Sequence, residues 1–185
     1  MRAIIRGHRV YNPLPIAIVA ADLRSRSAVV VVRRDRWVRV TGYGMESIER
    51  IVETFEFFDD WDDRYNYLAE LGEKLPPLEP RYATPEHQVH GCMSQVWVMA
   101  ELEATPSGGV LRFRGDSDTP IIKGILAVLL SIYDGLSPDE ALKVDTDAIF
   151  DRLGIYEHLS PNRHVGVYAM VEKVRSVAKS LQAAA

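Results

Sequence analysis

Val89-His90-Gly91-Cys92-Met93-Ser94-Gln95-Val96-Trp97-Val98 contains the one cysteine of a 185-residue chain. Gly91 lets the backbone turn tightly or take positive φ, and the run from Gln95 to Met99 has the β-branched and aromatic content of a strand. Cys92 is therefore predicted at a loop-to-strand junction. Ser94 to Glu103 reads as a first long strand and Val110 to Arg114 as its partner, joined through Pro106-Ser107-Gly108-Gly109. A connection that short and glycine-rich implies an antiparallel hairpin. Asp116-Ser117-Asp118-Thr119 is cap-rich and is followed by Pro120 at the first helical position, opening a helix to about Asp134. That helix is apolar nearly all round from Ile121 to Ile132, so it is the central buried one.

Upstream, Ile48, Ile51, Val52 and Phe55 fall at i, i+3, i+4 and i+7, the apolar face of a helix from about Glu46 to Phe57. Asp59-Asp60 offers an N-cap to a second helix, whose stripe of Trp61, Tyr65, Leu68 and Leu71 runs to Gly72 as a stop. The two helices are expected to pack on each other. Pro76, Pro77, Pro80 and Pro85 then mark a surface loop leading to the cysteine. Downstream, Ser137-Pro138-Asp139-Glu140 is a capping box, and a short helix over Asp147 to Leu153 ends at Gly154. Ser160-Pro161 launches a last helix to about Leu181 with Val167, Met170, Val171, Val174, Val177 and Ala178 on one side. The fold class is α+β, a small antiparallel sheet packed against several helices.

Composition narrows the function. Hydrophobic residues at 47% and charged residues at 26% describe a globular chain of one domain. No apolar run approaches the roughly 20 residues of a membrane helix, so no membrane partner is expected. A single cysteine forbids an internal disulfide, and a cytoplasmic, reducing location fits. The net charge of −4 is uneven, because residues 1–44 hold nine Arg against two Asp, a balance of +7, which leaves −11 on residues 45–185. A domain that acidic is not expected to bind nucleic acid.

Residues 1–44 have no defensible helical period. Ile16 to Ala21 is short for a signal-peptide core and is crowded by Pro13 and Pro15. The Arg excess suits an organelle transit peptide, but the valine-rich stretches do not suit its amphipathic helix. The reading adopted is a basic N-terminal extension outside the folded unit, with the domain at 45–185 and organelle import as the less favoured alternative.

Four roles for Cys92 stand side by side. A free cysteine is most often a small packed hydrophobe. His87, His90 and Cys92 have the spacing H-x2-H-x-C, which offers three metal ligands and no second cluster. A cysteine hydrolase would need a histidine base and an orienting carboxylate beside the thiol, and no spacing here demands one. A sulfur carrier needs a thiol on a loop that reaches a partner's active site, with no second cysteine to discharge the persulfide as a disulfide. No Lys or Arg lies within the ten residues before Cys92, so activation of the thiol is expected to come from the partner.

From Met45 to the C-terminus the chain resembles the SufE family of sulfur acceptors in iron–sulfur cluster assembly. The motifs are V-H-G-C-M-S-Q-V-W at Val89, W-x-x-R-Y-x-Y at Trp61, L-G-E-K-L-P-x-L at Leu71, G-D-S-D at Gly115, I-x-K-G-I-L-A-V at Ile121 and H-L-S-P-N-R at His158. The resemblance implies a fold similar to the IscU/NifU scaffold proteins. It also implies an accessory role: a SufS-type, pyridoxal-phosphate-dependent cysteine desulfurase passes persulfide sulfur to Cys92, and the sulfur goes on to a SufB-containing scaffold. By the same resemblance Asp118, Arg163, His90 and Gly91 serve partner docking or sulfur handling, although Asp116, Ser117 and Asp118 are equally explained as helix caps. His90 stands where relatives often carry Gln. No cofactor or metal is expected on the chain itself, and a homodimer is left open. A non-catalytic scaffold with a structural cysteine is the competing function. Trp61 and Trp97 are expected in the core and Lys123 on the surface.

Overall fold

The computed structural model describes residues 32–33, 36–37, 45–106 and 108–184. The chain divides into two units, Met1–Val40 and Thr41–Ala185. In the first, Val32–Arg33 (β1) and Arg36–Trp37 (β2) form a two-residue antiparallel ladder. The expected extension over 1–44 otherwise lies outside the described residues.

The second unit begins with helix α1, Ile48–Phe57, capped by the Ser47 side chain, which accepts the Arg50 N–H, and burying Ile51, Val52 and Phe55. Helix α2, Trp61–Glu73, is capped by Asp60, which accepts the Asp63 N–H. The sequence pattern places a stop at Gly72, but the helix runs through it, because Gly72 is a packing residue. A Cβ at Gly72 would stand 2.9 Å from the Gly124 nitrogen, and one at Gly124 would stand 2.1 Å from the Leu68 carbonyl oxygen. Backbone thus meets backbone where α2 crosses α3, Pro120–Tyr133, and α3 rather than α1 is the main partner of α2. Helices α1 and α2 meet at Tyr67, on which Phe55 packs edge-on at 5.7 Å between ring centroids.

Strands β3, Val96–Thr105, and β4, Gly108–Ser117, form the expected hairpin. Its register puts Val96, Val98, Ala100 and Leu102 opposite Ser117, Gly115, Phe113 and Leu111 on the core face. The other face carries Trp97, Met99, Glu101, Glu103, Asp116, Arg114 and Arg112, mostly polar but with Met99 buried. Trp97 is half-buried there rather than in the core. Helix α3 lies against β4 with Leu126 and Leu130 on the space left by Gly115, and it buries every residue from Gly124 to Tyr133. Its near-uniform apolarity is explained by that position. Helix α4, Pro138–Ala141, carries the expected capping box of Ser137 and Glu140. Helix α5, Thr146–Arg152, follows, and a 24-residue α6, Pro161–Ala184, packs on β3.

Beyond β4 the sheet edge is closed by Asp134, whose carboxylate accepts the Phe113 N–H at 2.9 Å and pairs with Arg112 at 3.2 Å. Burial alone would lower the Arg112 pKa, but the Glu103 hydrogen bond and the charges of Asp134 and Glu103 outweigh it and hold the guanidinium above its ordinary value.

Candidate functional site

The segment before the cysteine is pinned to β3 from outside the hairpin. His87 supplies its carbonyl to the Val98 N–H and Val89 donates its N–H to Val96, both at 2.8 Å. Residues 90–95 are thereby held as a closed loop. Gly91 takes φ +94°, a conformation that L side chains rarely adopt. It turns the chain so that Cys92 is half-buried while Met93 stands 83% exposed.

The far side of the loop is tied to the start of α3. Asp118 Oδ1 accepts the Gln95 N–H at 3.0 Å and the Thr119 hydroxyl at 3.1 Å, and the Asp118 N–H returns a bond to the Gln95 carbonyl at 3.2 Å. Ser94 and Thr119 share a hydroxyl hydrogen bond at 2.9 Å. The capping explanation for Asp118 is thereby corrected: Thr119 is the N-cap of α3, no side chain caps it, and Asp118 faces the cysteine loop instead. Asp116 accepts its neighbour's N–H and pairs with Lys123 at 2.7 Å, so Lys123 is a partnered residue near the surface.

The start of α6 supplies the third side. The turn before it is clamped by α2, where Trp61 stacks on His158 at 3.7 Å between centroids and Tyr65 donates to the His158 carbonyl at 2.6 Å. Trp61 is half-buried in this clamp. The tryptophan motif of α2 and H-L-S-P-N-R are thus two halves of one contact, which aims Ser160, Asn162 and Arg163 at the cysteine.

A cleft of about 280 Å³ opens there. Cys92, Met93 and Ser94 form one wall, Thr119 and Ile122 another, and Ser160, Asn162 and Arg163 the third. Two helices begin at this cleft, and helix N-termini carry partial positive charge. Arg163 is exposed, and its guanidinium has no ion-pair partner among the described residues. Arg163 of α6 lines the same cleft as Cys92. The arrangement suits a sulfur anion.

His90 is exposed and does not line the cleft. His87 is engaged by Thr84 at 3.0 Å, His158 stacks on Trp61, and His164 bonds the Tyr156 carbonyl. Among the described residues no histidine lines the cleft, and no three His, Cys, Asp or Glu side chains gather as a metal site. The H-x2-H-x-C spacing is not assembled. The cleft residues Thr119, Ser160 and Asn162 escaped the sequence reading, as did Gly166 of α6, on which the Cys92 sulfur rests. The signal for Gly166 was a glycine inside a predicted helix.

Fold and site together define a class: an α+β domain that presents one half-shielded thiol on a tethered loop beside a cleft of mixed polar and apolar lining. The chain belongs to the SufE family, described as an Fe-S metabolism associated domain, which matches residues 49–178. Over 140 residues it is 41% identical to an uncharacterized SufE-like protein of Rhizobium etli, covering 76% of this chain and 95% of that one. Over 135 residues it is 37% identical to another from Rhizobium meliloti, covering 73% and 96%. A hypothetical protein from Thermus thermophilus has a similar fold, with a TM-score of 0.58 and 24% identity, covering 72% of this chain and 93% of that one. Membership places the chain in the sulfur metabolism of iron–sulfur clusters. No helix among the described residues is long and apolar enough to cross a membrane.

Proposed function

We propose that the protein is a sulfur acceptor and carrier that takes persulfide sulfur from a SufS-type cysteine desulfurase onto Cys92 and delivers it to a SufB-containing scaffold. The observation that carries this reading is the single thiol itself, half-shielded on a loop and opening into a cleft lined by Arg163, which has no ion-pair partner among the described residues. The Cys92 thiolate attacks the outer sulfur of the desulfurase persulfide. The sulfur–sulfur bond to the desulfurase breaks, that enzyme keeps its own thiolate, and Cys92 becomes the persulfide. The sulfane sulfur changes owner without net oxidation, so neither oxidant nor cofactor is needed on this chain.

In this reading Arg163 and the two helix starts hold the terminal sulfur as an anion, and Asp118 keeps the loop in register through Gln95. Gly91 supplies the turn, and exposed His90 and Met93 form the rim that meets the desulfurase. The folded carrier is residues 45–185, with 1–44 outside it, working in the reducing cytoplasm.

The test is sulfide release by a cysteine desulfurase supplied with cysteine and a reductant. The parent chain is expected to stimulate release and Cys92→Ser to abolish the stimulation. Equal stimulation by both would leave a non-catalytic scaffold with a structural cysteine.

A further inference from the structure

Gly166 lies near the start of the 24-residue helix α6, where alanine would be more favourable by about 1 kcal/mol. Its φ is not positive, so no turn explains it. It is buried. A Cβ placed on it would stand 2.8 Å from Cys92 Sγ, 3.5 Å from Cys92 Cβ and 3.6 Å from Cys92 Cα. The three nearest atoms all belong to Cys92, and only the sulfur is closer than ordinary contact. Ala169, one position further along the same helical face, faces Gly91, whose own Cβ would stand 3.8 Å from the alanine methyl. Asn162, one turn earlier on that face, lines the cleft.

We propose that Gly166 is a positioning residue for Cys92: its missing side chain is the space in which the thiol rests. The sulfur lies against α6, so a second sulfur bonded to it, at about 2.05 Å, meets the helix on one side and the cleft on the other. It therefore points toward Ser94, Thr119, Asn162 and Arg163. The purpose of the contact rests on the sulfur-acceptor reading, but the contact is testable without sulfur transfer.

The experiment introduces Gly166→Ala into the parent chain and into Cys92→Ala, with thermal unfolding of all four proteins and iodoacetamide labelling of the two that keep the thiol. Gly166→Ala is expected to lower Tm in the parent, and to leave Tm unchanged or raise it in Cys92→Ala, where the clashing atom is gone. It should also speed labelling of Cys92 several-fold, because a thiol driven off its seat moves toward solvent. If the single variant does not fold, rescue by Cys92→Ala supports the proposal and failure of rescue overturns it. Equal Tm changes in both backgrounds, or an unchanged labelling rate, would also overturn it. A parent that shows the coupling but takes no sulfur from a desulfurase would end the acceptor reading and leave the contact standing. One that loads sulfur without the coupling would end only the role of Gly166.

Discussion

Asp118 and Gln95 hold each other by two hydrogen bonds, the Gln95 N–H to the carboxylate at 3.0 Å and the Asp118 N–H to the Gln95 carbonyl at 3.2 Å. This clasp joins the end of the cysteine loop to the entrance of α3. Asp118→Ala removes a charge-assisted bond of about 1.5–3 kcal/mol. It should lower stability in urea by an amount at the lower end of that range, because the site is exposed, and it should slow sulfur loading by a larger factor than Asp118→Asn. The asparagine keeps an acceptor for Gln95. Equal loading by both variants would show that charge at the docking surface matters and the clasp does not.

Arg163 has the opposite profile. It is exposed and unpaired among the described residues, so Arg163→Ala should leave urea stability within about 0.5 kcal/mol, the ordinary range for surface substitutions. Sulfur loading from a desulfurase should nevertheless fall, with partial recovery in Arg163→Lys, which returns the charge without the planar fork. A stability loss matching the loading loss would assign Arg163 to the fold.

Asp134 is fully buried, and its partner Arg112 is 11% exposed. Asp134→Ala leaves Arg112 with Glu103 as its remaining carboxylate partner and removes the buried acceptor for the Phe113 N–H. A destabilisation of about 1.5–3 kcal/mol, the scale of a lost hydrogen bond to a charged group, is expected by urea unfolding. Sulfur transfer by the fraction that remains folded should be unchanged, since the pair is not part of the cleft.

Tyr67 is pushed up to about 12 from an ordinary 10.0, chiefly by burial, with the nearby Glu46 charge adding to it. A group raised in the folded state stabilises fully below its unfolded value and loses that contribution as pH climbs through the folded one. Stability should therefore fall between about pH 10 and 12, with Tyr67 responsible for about 2–3 kcal/mol of the loss. Tyr67→Phe should flatten that part of the curve when urea midpoints are followed across this range, and an unaltered slope would show that other groups carry it.

Much of this architecture is legible along the chain. The hairpin follows from strand alternation around Pro106 and two glycines, and the central helix from Pro120 and an unbroken apolar run. The Asp60 cap and the Ser137 box are local hydrogen bonds, so local sequence suffices to find them, whereas Ser47, inside the expected first helix, is in fact its cap. What local sequence does not convey depends on meetings between distant residues. Asp118 has the composition of a cap, and only the fold brings Gln95 within reach of it. Gly72 has the composition of a helix stop, and only the crossing of α2 over α3 makes it a contact. Arg163 and Gly166 reach Cys92 because Trp61 and Tyr65 clamp the turn before α6, which no local pattern encodes.

The most direct measurement is the mass of the intact chain after incubation with a cysteine desulfurase and cysteine, followed by removal of free sulfide. The parent should gain the mass of one added sulfur, localised to the peptide containing Cys92, and lose it on treatment with a reducing thiol. Cys92→Ser should gain nothing and remain folded. A parent whose mass is unchanged while the desulfurase turns over, or a Cys92→Ser chain that gains the same mass, would contradict the account.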